Sequence, residues 1–145
     1  MKFQKKNSNK KKSIMIIDDS PIDIFLATRL FESLNINNRI QTFENAIQAM
    51  EYFRLIKDEQ AYYNLFAPEI ILLDINMPVM DGFEFMAEFD KFKIFKNKPL
   101  KILVTSSTIN VRDMEQVKEY GNRCAFIPKP LNLEALRNLT LELIY

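Results

Sequence analysis

Four apolar runs in this chain of 145 residues end in side chains capable of chemistry. Ile14 to Ile17 runs into Asp18 and Asp19, and the stretch from Glu69 to Leu73 ends at Asp74. Leu100 to Val104 is followed by Thr105, and Cys124 to Ile127 leads to Lys129 between Pro128 and Pro130. Each has an ordinary reading taken singly. An aspartate after a strand is commonly a turn residue or a helix cap, a threonine fills a polar loop, and a loop lysine is solvated. Asp74 is harder to dismiss, because an unpaired carboxylate closing a buried run is costly. Brought together, the set has a definite use. Two or three carboxylates supply hard oxygen ligands for Mg²⁺, an ion that keeps several waters and favours one or two carboxylates plus phosphate oxygens. A further carboxylate beside the ion can attack a phosphoryl group and carry it as an aspartyl phosphate. The ammonium and the hydroxyl then support the transferred oxygens.

Convergence of these groups requires a particular scaffold. From Ser13 onward short apolar runs alternate with longer amphipathic ones, the pattern of βαβ units around a parallel sheet. Strands are expected at 14–17, 39–43, 69–73, 100–104 and 124–127. The segment Ile70-Ile71-Leu72-Leu73 has no polar alternation, as expected of a central strand covered on both faces. Ser20-Pro21 starts a helix running to about Leu34, with Ile22, Phe25, Leu26, Leu30 and Leu34 forming its buried stripe. Further helices are expected over 44–58, with Ala46, Ile47, Met50, Phe53 and Ile56 inward, and over 83–92, 110–120 and 133–144. Gly121 closes the helix at 110–120. The aromatic-rich stretch EQAYYNLFAP at 59–68 is left unassigned. The expected fold class is a doubly wound α/β domain of five strands and five helices over residues 13–145. In such sheets ligands bind beyond the carboxyl ends of the strands, where all four motifs fall.

Composition narrows the chemistry. There is no His, so Ser-His-Asp and Cys-His catalysis, His metal sites and a phosphohistidine are excluded. Only Gly82 and Gly121 are present, so neither G-x-G-x-x-G nor a P-loop can be written. The lone Cys124 cannot form an intramolecular disulfide, which suits a reducing compartment. No apolar run approaches the roughly 18 residues of a membrane span, and a cytoplasmic protein without a membrane partner is expected. Six lysines and no acid occupy residues 1–12, and setting them aside from the net charge of +1 leaves −5 on the rest. This basic arm is expected to be a solvated terminus. An acidic remainder gives a nucleic-acid partner little support.

The motifs IIDDS at 16–20, LLDINMPVMDG at 72–82, LVTSS at 103–107 and FIPKPL at 126–131 resemble those of the receiver domains of two-component response regulators. The resemblance spans Ser13 to Tyr145. It implies a flavodoxin-like (βα)5 fold with strand order 2-1-3-4-5. It also implies that Asp74 is the phosphoacceptor, that Asp18 and Asp19 hold Mg²⁺, and that Asn76 gives the metal its backbone carbonyl. By the same resemblance Thr105 is the switch hydroxyl, Lys129 the phosphate-binding lysine, Phe126 the switch aromatic, and Pro130 the proline that often follows a cis peptide. The interval from Thr105 to Lys129 is slightly long for the family, so the hydroxyl role can slip onto Ser106 or Ser107. Small, polar Ser107 is not expected to shield an acyl phosphate from water.

The function implied is a stand-alone receiver, a switch rather than an enzyme. It would accept a phosphoryl group from a histidine kinase or histidine phosphotransfer protein and signal by protein contact, through the helix at 110–120, the fifth strand and the closing helix. Two alternatives remain. A Mg²⁺-dependent phosphohydrolase with an aspartate nucleophile commonly needs a second acid two residues on, where this chain has Asn76. A degenerate receiver that only binds partners would lack one of the acidic or basic groups, and here all are present.

Overall fold

A computed structural model describes residues 12–34, 38–108 and 110–144, with side chains described to residue 140. Five strands alternate with helices: β1 (Lys12–Ile17), β2 (Asn38–Phe43), β3 (Ile70–Asp74), β4 (Lys101–Ser106) and β5 (Cys124–Pro128). All pair in parallel in the order β2-β1-β3-β4-β5. The helices are α1 (Pro21–Glu32), α2 (Ala46–Phe53), α3 (Glu59–Asn64), α4 (Gly82–Phe89), α5 (Val111–Glu119) and α6 (Leu133–Ile144), with 3-10 turns at Lys93–Phe95 and Gly121–Arg123. Residues 1–11 of the basic arm lie outside the described residues. Lys12, expected in that arm, opens β1 and pairs with Glu69 at 3.2 Å.

Strand β3 is buried along its whole length, as a central strand covered on both faces must be. One face carries Ile14, Ile16, Ile70, Leu72, Leu103 and Ile127 against Ala27 and Phe31 of α1 and Leu136 of α6. The other carries Met15, Ile17, Ile71, Leu73, Ile102 and Val104 against α2, α4 and Val117 of α5. The second face is filled by rings: Phe53, Phe89 and Phe95 meet pairwise with centroids 4.9, 5.4 and 5.0 Å apart, and Phe85 lies 6.0 Å from Phe53. Such offset and edge contacts add to the area these rings bury.

Several elements differ from expectation. α1 buries Ala27 and Phe31, while Ile22, Phe25 and Leu26 of the expected stripe are 72, 58 and 52% exposed; Leu30 and Leu34 of that stripe do pack on the core, Leu34 from beyond the helix end. The Ser20 cap, whose hydroxyl accepts from the Asp23 N–H, sets where the helix starts. Of two interleaved apolar stripes the inward one is Ile24, Ala27, Phe31 and Leu34. In α2, Ala49 takes the inward place expected of Ile47, which is 39% exposed. That helix ends at Phe53 rather than near Asp58, and the unassigned aromatic stretch forms a sixth helix, α3, capped by Asp58. β4 continues through Thr105 and Ser106, which had been expected in a loop.

Candidate functional site

Parallel pairing determines which side chains meet at the carboxyl edge. Continuing the β1–β3 register by one residue aligns Asp18 with Asp74, and Asp74 pairs directly with Thr105. Thr105 pairs with Ile127, two residues before Lys129. Strand alternation therefore sends Asp18, Asp74, Thr105 and Lys129 to one face, the side of α1 and α6. Carboxylate oxygens of Asp18, Asp19 and Asp74 lie within 4.8 Å of one another. Asp18 and Asp74 are buried, and Asp19 is exposed at the mouth.

The loops fix one oxygen of each buried carboxylate. Asp18 Oδ1 accepts from the Ser20 N–H at 2.9 Å, and Asp74 Oδ1 from the Asn76 N–H at 3.0 Å. The opposite oxygens turn to Lys129, whose Nζ lies 2.8 Å from Asp18 Oδ2 and 3.5 Å from Asp74 Oδ2. Burial is the main cause that raises Asp74 to a pKa of about 6; the Asn76 N–H opposes the shift, and the negative charge of Asp18 adds to it. For Lys129, burial favours the neutral amine, but hydrogen bonds to Asp18 and Asp23 prevail and raise its pKa. A buried acid group this close to two other carboxylates, with oxygen donors only, suits a hard divalent cation.

The loop after β3 is drawn tight. Gly82 N–H donates to Ile75 O at 3.1 Å, and a Cβ on Gly82 would sit 2.7 Å from Ile75 Cα and 2.9 Å from Asp74 O. Only glycine permits α4 to start this close to the strand end. Asp81 caps α4 in a reciprocal box with Glu84. The Lys129–Pro130 peptide is cis.

One participant is not singled out by the sequence, and a second is named there only as an alternative to Thr105. Asp23, in the first turn of α1, places Oδ2 3.0 Å from Lys129 Nζ and makes a fourth carboxylate of the site. Its signal was its position four residues after Asp19, which reads equally as an acid favoured by the helix dipole. Ser106 lies on the face opposite Thr105, the face of Val104 and its partner Phe126. Its hydroxyl accepts from the Asn76 amide at 2.6 Å and donates to Thr108 O at 2.7 Å, and Asn76 also reaches Thr108 Oγ1 at 3.3 Å. Thr105 Oγ1, in contrast, is buried without a hydrogen-bond partner among the described residues. Phe126 is half-buried against the larger core cluster, on the opposite face from Asp74.

Comparison with known proteins shows the family and the fold. The response regulator receiver domain family matches residues 14–140. Response regulator Rcp1 of Synechocystis is 30% identical over 89% of this chain and 84% of its own length. A two-component response regulator structure from Cytophaga hutchinsonii superposes with a TM-score of 0.76 at 29% identity, covering 93% of this chain and 98% of that one. The Mn²⁺-bound form of response regulator Rcp1 superposes with a TM-score of 0.67 at 26% identity, covering 90 and 91% of the two chains.

Proposed function

The chain belongs to the response regulator receiver family, and from that premise we propose that Asp74 accepts the phosphoryl group and that Mg²⁺ is the ion held with it. The observation that carries this reading is a buried carboxylate grouped with Asp18 and Asp19 and reached by one lysine. Asp74 Oδ2 attacks phosphorus, the bond to the donor nitrogen of a phosphohistidine breaks, and the imidazole keeps the electron pair. The proposed donor is a histidine kinase or histidine phosphotransfer protein, in keeping with the receiver family. When bound, Mg²⁺ supplies charge neutralisation at the phosphoryl oxygens. Asp18 and Asp19 would hold it from the end of β1, together with the Asn76 backbone carbonyl. Lys129 leaves its carboxylate partners to neutralise a phosphoryl oxygen.

The hydroxyl role at the end of β4 is assigned to Ser106 rather than Thr105. Ser106 shares a face with Phe126, and its hydroxyl already bridges the Asn76 loop to the segment before α5. Drawing Ser106 toward a phosphoryl oxygen would break that bridge and free the loop, which gives Phe126 and α5 something to respond to. The signalling surface is then α5, β5 and α6. Asn76 is committed to Ser106 and Thr108 and is no acid, which disfavours a phosphohydrolase.

Incubation with acetyl phosphate and Mg²⁺, read by intact mass, tests this directly. One phosphoryl adduct is expected, absent in Asp74→Asn and absent without metal. Ser106→Ala should keep the adduct but lose the conformational response in amide spectra, whereas Thr105→Val should keep both. No adduct under any condition refutes the reading.

A further inference from the structure

Lys129 sits where a bound cation needs oxygen. The Oδ1 atoms of Asp18 and Asp74 are taken by the Ser20 and Asn76 N–H groups, and the Oδ2 atoms of both face the ammonium. A divalent ion that draws on the Oδ2 atoms competes for them with the lysine, and it binds better when the lysine has another anionic partner within reach. Asp23 is that partner. Its Oδ2 lies 3.0 Å from Lys129 Nζ, it is borne on a different element from the three clustered carboxylates, and its oxygens lie outside that cluster. Its side chain is 38% exposed and meets the ammonium near solvent, whereas Lys129 is only 14% exposed and does not extend into bulk water.

We propose that Asp23 is a positioning residue that receives the Lys129 ammonium and thereby frees Asp18 and Asp74 for the divalent cation. This rests on the reading of Asp18, Asp19 and Asp74 as the cation site. Without Asp23 the lysine falls back on Asp18, and the cation must displace it. The effect thus runs through Lys129, which separates it from a plain loss of negative charge near the ion.

The test is a double-mutant cycle on the whole chain, with Mg²⁺ affinity measured calorimetrically for the natural protein, Asp23→Asn, Lys129→Gln and the double variant. Asp23→Asn should weaken Mg²⁺ roughly two- to fivefold, the range a partly exposed ion pair commands. Lys129→Gln should tighten it, and adding Asp23→Asn to Lys129→Gln should change it by less than about twofold. Equal weakening in both backgrounds would make Asp23 a distant charge and overturn the proposal, as would tighter binding in Asp23→Asn alone. Circular dichroism melts of the metal-free variants separate misfolding from weakened binding. If neither the natural protein nor Lys129→Gln takes up Mg²⁺ at millimolar concentration, the cation site itself is wrong and the proposal falls with it.

Discussion

Asp74→Asn should make the metal-free protein more stable, although it removes the group on which the proposed function depends. Asp74 is 4% exposed, and burial together with the charge of Asp18 raises its pKa from 3.8 to about 6. The folded chain therefore binds more protons than the unfolded one between about pH 4 and pH 6, and ionised Asp74 lowers stability as pH rises through that window. At about 1.4 kcal/mol per pKa unit the ceiling is about 3 kcal/mol. The carboxylate lies at the mouth of a crevice, where water relaxes the field, so about half that, roughly 1.5 kcal/mol, is expected to survive. Asparagine keeps an oxygen for the Asn76 N–H and sheds the charge. For a chain of this size the gain corresponds to a rise of about 4–6 °C in Tm. The assay is thermal melting by circular dichroism in EDTA at about pH 8 and again at about pH 5, where the advantage should shrink to about half. Saturating Mg²⁺ should narrow the gap at high pH, because it stabilises only the chain that binds it. An Asp74→Asn chain melting at or below the natural protein at high pH in EDTA, or an advantage independent of pH, would refute the reasoning.

Three further outcomes are expected. Protons and the cation compete for Asp74, so Mg²⁺ affinity followed calorimetrically should rise with pH through about 6 and level off above it, falling about tenfold between about pH 7 and pH 5. Gly82→Ala would drive a methyl group into the backbone of Ile75 and Asp74, and should lower stability in urea unfolding by about 2–3 kcal/mol while slowing phosphoryl uptake from acetyl phosphate. Thr105→Val removes a buried hydroxyl without a partner among the described residues, and should leave urea stability unchanged or raise it by about 1 kcal/mol; a loss of more than about 1 kcal/mol would mean that the hydroxyl is bonded in solution.

What the sequence made legible was contiguous, and what it hid depended on phase. Asp18, Asp19, Asp74 and Lys129 each lie within two residues of the end of an apolar run, and parallel strands must deliver their carboxyl ends to one edge, so sequence alone brings these four together. Strand order came from the family resemblance, and the observed pairing agrees with it. α1 carries apolar residues on two interleaved stripes, and periodicity cannot choose between Ile22-Phe25-Leu26 and Ile24-Ala27-Phe31 when both repeat at helical spacing. The choice was made by the packing of small Ala27 and of Phe31 against the sheet, which is a tertiary fact. The end of β4 posed the same difficulty at a period of two. Thr105 and Ser106 are adjacent hydroxyls, and a one-residue difference in where the strand ends exchanges the face of Asp74 for the face of Phe126. Asp23 was hidden for a related reason: whether an acid in a first helical turn points to solvent or back over the strand ends depends on how the helix is rotated about its axis. The rotation that leaves Ile22, Phe25 and Leu26 exposed is the one that brings Asp23 within 3.0 Å of Lys129. The phase of one helix thus determines both which apolar residues remain at the surface and which carboxylate reaches the lysine.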